Sequence, residues 1–109
     1  MAFFDPIPIE RVVSIDPFVI QRRIAFRDCD PAGVVYTPRF LDPIATSAVD
    51  LFVQALIGRP TDRVAPFDKI GFPAKAVEIV FHHPTRLDEL VDIKLSIKTI
   101  RKRTFTVLV

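Results

Sequence analysis

The sequence has a single cysteine, Cys29, in 109 residues. That excludes an intramolecular disulfide and a multi-cysteine zinc site. It also has little net charge: 15 basic and 13 acidic side chains leave a formal +2. A balance that close does not imply nucleic acid or an anionic membrane as partner. No uninterrupted apolar run approaches the ~18 residues needed to span a bilayer. The first ten residues lack a basic opening and are interrupted by Asp5, Pro6 and Pro8, which is unlike a secretory leader. Internal repeats and low-complexity segments are absent. The expectation is a soluble, cytoplasmic protein.

Half of the residues are apolar and 26% are charged, the composition of a globular chain rather than a disordered one. Residues 1–109 make one domain by length. A domain of this size buries about two-thirds of its unfolded surface, so oligomerisation is a common source of added stability. Charge is uneven along it. Residues 93–109 carry Lys94, Lys98, Arg101, Lys102 and Arg103 with no acid, so the rest is net acidic.

Pro6, Pro8 and Pro17 make residues 1–17 an extended lead-in. From Phe18 to Arg27, Phe18, Ile20, Ile24 and Phe26 share one parity, as in a half-buried strand, although Arg22 interrupts the apolar series. Asp28–Gly33 has turn chemistry. Ile44, Ala48, Leu51, Phe52, Ala55 and Leu56 then recur at helical spacing. Thr37-Pro38 reads as an N-cap and first-turn pair, and Asp42-Pro43 repeats the signal. This predicts an irregular turn near Thr37 and a main helix from about Asp42, stopped by Gly58 and Pro60. The helix is apolar around most of its circumference, so several of its sides should be covered.

Arg59–Phe72 reads as a loop. Three strand patterns follow: Ala74–His82, Leu90–Ile100 and Thr104–Val109, with Arg101-Lys102-Arg103 at the turn between the last two. Strand, long helix and consecutive strands together give an α+β fold, an antiparallel sheet against one apolar helix.

The most informative stretch is Asp28-Cys29-Asp30-Pro31-Ala32-Gly33-Val34-Val35-Tyr36-Thr37-Pro38. By spacing, Asp30-Pro31-Ala32-Gly33 is first of all a type I turn. The same run resembles the active-site motif of the 4-hydroxybenzoyl-CoA thioesterase family, whose fold is the hotdog, an antiparallel sheet wrapped around one long central helix. Gly71-Phe72-Pro73, the pattern ending at Phe81, the run from Pro84 to Val91 and Ile100–Phe105 extend the resemblance over about residues 20–109. The family often has tyrosine where Thr37 stands, and Pro43 falls inside its helix.

The resemblance implies an acyl-CoA thioesterase. Asp30 would be the catalytic carboxylate, as nucleophile or as base on water. The backbone N–H of Thr37, opening the helix, would polarise the thioester carbonyl, with Gly33 permitting close backbone approach. Tyr36 would contact substrate. Arg101, Lys102 and Arg103 would bind the nucleotide phosphates of coenzyme A, although a solvated basic turn is the commoner meaning of such a run. No cofactor is implied, since coenzyme A belongs to the substrate. The family's sites form between protomers, which implies a homo-oligomer, a dimer or a homotetramer built as a dimer of dimers. It also implies a chain that continues beyond the point matching Val109. The expectation is therefore a C-terminally incomplete domain lacking its closing strand, with Ala74–His82 left without a neighbour.

The other candidates have plainer readings. Asp28 should cap or solvate the loop; Asp50, on the helix, is the second-choice carboxylate. Cys29 sits between two acids that disfavour its thiolate and reads as an inert, packed thiol. His82 and His83, adjacent on a strand, would point to opposite faces, so no metal site is read. A non-catalytic acyl-CoA-binding or assembly module is the alternative function. A nucleic-acid role for residues 94–103 has little support, because aromatics do not interleave the basic run.

Overall fold

The computed structural model describes residues 4–58 and 74–109. The loop expected at Arg59–Phe72 and the Gly71-Phe72-Pro73 match lie outside the described residues. Among the described residues, four antiparallel strands form one sheet in chain order: β1 (Glu10–Ile15), β2 (Phe18–Arg23), β3 (Leu90–Ile100) and β4 (Phe105–Leu108). Between β2 and β3 the chain makes a short 3-10 turn (Phe26–Asp28). It then enters α1 (Thr37–Arg39), passes through an irregular helical stretch (Phe40–Ala45) and continues as α2 (Thr46–Ile57).

The strands follow their alternation. In β2, Phe18, Ile20 and Arg22 are buried while Val19, Gln21 and Arg23 are half-buried. In β3, Val91, Ile93, Leu95 and Ile97 turn inward. The register sets Phe18 opposite Leu95 and Ile20 opposite Ile93. Helix α2 closes this face with Ala48 and Phe52, whose ring packs at 5.2 Å from that of Phe18. Such a tilted pair adds about 0.5–1.5 kcal/mol beyond its area. A second cluster, Ile24, Val35 and Ile44 with Cys29, Phe40 and Val91 against it, lies under the 28–36 loop.

Several expectations change. The lead-in is not wholly outside the sheet: Glu10–Ile15 pairs with β2 as an edge strand, with a bulge between Val12 and Ser14. Its valines are exposed, so burial alternation never marked it. Strand β2 ends at Arg23; Ile24 still bonds Glu89 and Asp88, and the turn at Phe26–Asp28 follows, with the Asp28 N–H on the Ala25 carbonyl. Helix onset falls at Thr37, with Tyr36 as the capping residue. Helical geometry breaks at Asp42 (φ −107°, ψ 124°), before Pro43, because a residue preceding proline is driven to extended angles.

Ala74–His82, expected as a strand left without a neighbour, has no ladder partner among the described residues. Val77, Ile79, Val80 and Phe81 are exposed. Alternation without a neighbouring strand leaves a segment whose backbone groups face water. In β4 only Val107 is half-buried; Phe105 and Val109 are exposed rather than inward. The helix, expected to be covered on several sides, is covered on one, and Leu56 and Ile57 are exposed. The whole helical run Thr37–Ile57 is 21 residues and is apolar enough to cross a bilayer by length and composition, although polar residues interrupt it. Broken at Asp42 and packed on the sheet, it serves here as the core helix.

Gly58 ends α2 in the left-handed region (φ 72°), its N–H donating to the Gln54 carbonyl. Gly58→Ala should cost about 1 kcal/mol, because an added Cβ strains that conformation. Ile20→Ala, in the fully buried centre, should cost about 2–5 kcal/mol. Chemical denaturation of the two variants checks both values, and Ile20→Ala should be the more damaging.

Candidate active site

The loop between β2 and the helix is built from its own side chains. Asp28, fully buried, accepts from the Ala25 N–H at 2.9 Å through Oδ2 and so closes the 3-10 turn. The Arg22 guanidinium, 2% exposed, donates to the same carboxylate at 3.3 and 3.4 Å. On its other side Arg22 lies 3.6 Å from Glu10, its directly opposed neighbour on β1. Glu10 in turn accepts from the Ser47 hydroxyl of α2 at 2.6 Å. Asp28 does cap, as expected, but it does not solvate the loop. Arg22 does not break the inward parity of β2; it occupies it, with its charge met by two carboxylates.

Beyond Asp28 the chain turns back on itself. Asp30 accepts at its carbonyl from the Gly33 N–H and donates its own N–H to the Val34 carbonyl, both at 2.9 Å. Its Oδ1 accepts from the Ala32 N–H at 2.9 Å. These bonds make the predicted turn, and Gly33 at φ 80° supplies the left-handed residue that ends it. The turn holds one carboxylate oxygen. Oδ2 has no hydrogen-bond partner among the described residues. Cys29 and Val35 bridge across the loop, and the Val35 N–H and Gly33 carbonyl bond the segment Thr85–Leu87.

Thr37 then opens the helix. As its first residue it has no intrahelical acceptor for its N–H, which points out of the positive end of the helix. Thr37 lines a cleft of about 330 Å³ with Val35, Phe40, Phe81, His82, His83 and Pro84. The rings of Phe40 and Phe81 meet at 5.3 Å across it. His82 and His83 were expected on opposite faces of a strand. The segment is not paired as one among the described residues, and both line the cleft. The sequence signal for this was their position directly before Pro84. Arg39, on the first helical turn, was also missed; its Nε is buried and has no hydrogen-bond partner among the described residues.

Not every candidate gathers here. Tyr36 is exposed beside the cleft, as the residue before Thr37. Asp50, the second-choice carboxylate, is exposed on α2 away from the cleft lining and accepts from Gln54 at 2.8 Å. Arg101, Lys102 and Arg103 sit exposed at the β3–β4 turn, which is closed by the Arg101 N–H on the Thr104 carbonyl at 2.8 Å. Strand β3 begins beside the Asp30 loop, where Glu89 bonds Ile24, and runs 11 residues to that turn, about 33 Å at strand rise. Within one chain the basic turn and the loop are at opposite ends of the sheet.

The fold is the hotdog fold, an antiparallel sheet on one long helix, and the chain resembles thioesterases that share it. No protein-family model matches the chain. It is 28% identical over 88 residues to the 4-hydroxybenzoyl-CoA thioesterase of Pseudomonas sp. (strain CBS-3), an alignment covering 79% of this chain and 61% of that protein. The chain therefore spans about three-fifths of the length of that relative. A solved gentisyl-coenzyme A thioesterase superposes with a TM-score of 0.72 at 29% identity, over 82% of this chain and 70% of its own.

Burial, with the carboxylates of Asp28, Asp30 and Asp88 nearby, pushes the Cys29 thiol above the usual cysteine range. A raised thiol pKa keeps the neutral, unreactive form at neutral pH. Iodoacetamide should therefore alkylate Cys29 more slowly than free glutathione at pH 7.5, with the rate climbing at a higher pH than that of glutathione. A glutathione-like rate at pH 7.5 would contradict this.

Proposed function

We propose that this chain hydrolyses an acyl-CoA thioester to a carboxylate and coenzyme A, with Asp30 as the catalytic carboxylate. One arrangement carries the reading: a carboxylate with one oxygen fixed by its own turn, on the loop leading directly to a helix N-terminus that opens on a cleft walled by aromatic rings. The two similar proteins, both named as CoA thioesterases, support it.

The chemistry needs two things. The thioester carbonyl must be polarised, and its carbon must be attacked. The Thr37 N–H donates to the carbonyl oxygen as negative charge develops there. Asp30 then acts in one of two ways. As a base it takes a proton from water, the hydroxide oxygen bonds the carbonyl carbon, and the carbon–sulfur bond breaks. As a nucleophile its own oxygen bonds the carbon, the thiolate leaves, and water cleaves the resulting anhydride. Either way the products are the carboxylic acid and the thiol of coenzyme A.

The aromatic acyl group is the finer part of the proposal. Phe40 and Phe81 supply faces for a ring, with Tyr36 at the edge. The nucleotide of coenzyme A falls to Arg101, Lys102 and Arg103. Because those residues stand some 33 Å along β3 from the loop of their own chain, they serve the site of a second copy, so the working unit is a homodimer or a dimer of dimers.

Asp30→Asn should retain the fold by circular dichroism and lower kcat at least a hundredfold, across a panel of aromatic and aliphatic acyl-CoAs read by thiol release. An unchanged kcat would remove Asp30 from its role. Arg101→Ala/Arg103→Ala should raise KM for acyl-CoA about tenfold or more with little change in kcat. Tight coenzyme A binding by the native chain with no thiol release would instead favour a non-catalytic acyl-CoA-binding module.

A further inference from the structure

Arg22 is the least ordinary residue in the fold, a charged side chain 2% exposed on the inner face of a central strand. Removing such a charge from water is costly, and the cost is offset only by well-placed counter-charges. Arg22 has two, and they belong to different parts of the structure. Asp28, at 3.3 Å, ends the turn two residues before Asp30. Glu10, at 3.6 Å, lies on β1 and holds the Ser47 hydroxyl of α2 at 2.6 Å.

We propose that Glu10, Arg22, Asp28 and Ser47 form a positioning device that sets Asp30 against the N-terminal end of the central helix. This rests on the assignment of Asp30 and Thr37 above. The two halves of the reaction geometry sit on one continuous segment whose loop and helix also share the Ile24, Val35 and Ile44 cluster. The carboxylate is on a loop, and the polarising N–H is at the start of a helix broken at Asp42. One guanidinium holds the loop through Asp28 and reaches the helix, beyond its break, through Glu10 and Ser47. The Asp28 and Ser47 links are hydrogen bonds, which define direction as well as distance; the Arg22–Glu10 link is an ion pair at 3.6 Å, set by charge rather than by a hydrogen bond. An apolar core of the same volume would resist compression but would leave the loop free to shift by fractions of an ångström. A displacement of that size is enough to slow an oriented reaction.

None of the four residues lines the cleft, so their loss should appear in kcat rather than KM. The paired variant Arg22→Met/Asp28→Asn removes both charges together. The asparagine amide oxygen can still accept from the Ala25 N–H, and the charge that remains, Glu10, is 26% exposed at its side chain and keeps the Ser47 hydroxyl. Ser47→Ala cuts only the link to the helix, and Ser47→Thr keeps the hydroxyl.

The test measures kcat, KM, melting temperature and amide hydrogen exchange in all three variants. The paired variant should lose about tenfold in kcat and Ser47→Ala about threefold, with KM near that of the native chain, and Ser47→Ala should also keep the native melting temperature. Ser47→Thr should restore the native kcat. The amides of Asp30 and Gly33 should exchange several-fold faster in the paired variant, while those of β3 stay unchanged. Native kcat and native exchange would overturn the proposal, as would a rise in KM alone or equal loss of protection across β3. Should the paired variant not fold, the contrast between Ser47→Ala and Ser47→Thr decides. Should the native chain release no thiol from any acyl-CoA, the thioesterase reading fails, and exchange at Asp30 and Gly33 still judges whether the device holds the loop.

Discussion

The buried guanidinium of Arg22 organises this structure. A positive charge on the inner face of a sheet must be met by carboxylates, and the two that meet it arrive from opposite directions in the chain. Glu10 comes from the edge strand and Asp28 from the turn after β2. The requirement draws β1 into register opposite β2, with Glu10 directly across from Arg22. It also stops β2 where it does, because Asp28 must turn back to reach both Arg22 and the Ala25 N–H. The loop carrying Asp30 leaves from this anchored point, and the central helix is tied to it through Ser47.

Around that anchor the apolar core does the ordinary work. Phe18, Ile20, Leu95, Ala48 and Phe52 join sheet to helix, and Ile24, Val35 and Ile44 support the loop from below. The division matters for chemistry. The first cluster gives stability in proportion to buried area, without direction. The polar network and the turn bonds of Asp30 give direction. A site that has to place a carboxylate and an N–H on one carbonyl group needs the second kind of interaction on top of the first.

Much of this was legible in the residues. Strand β3 was readable to its end points, because Val91, Ile93, Leu95 and Ile97 alternate strictly with polar neighbours and one face is buried. The Asp30–Gly33 turn was readable because each of its positions carries the residue type its backbone angles favour. Strand β1 was not, because an edge strand with exposed valines shows no burial contrast. Residues 74–82 read as a strand left without a neighbour, and among the described residues no other strand takes up their hydrogen bonds. The cleft was half legible. Thr37 and Val35 follow from the motif, whereas His82, His83 and Phe81 reach it from a distant segment that docks through Thr85 and Leu87.

The sequence by itself determined the local chemistry: which residues turn, which alternate, where a helix starts on an unpaired N–H, and which acid stands just before it. These depend on backbone preferences and on neighbours a few positions away, so they are written in short stretches. Only the tertiary structure decided what Arg22 is for, that Asp28 is buried rather than solvated, that both histidines share one cleft, and that the basic turn lies at the far end of the sheet from Asp30. Each of those depends on contacts between segments far apart in the chain, and on whether a charge or a polar backbone group finds its partner there or in water.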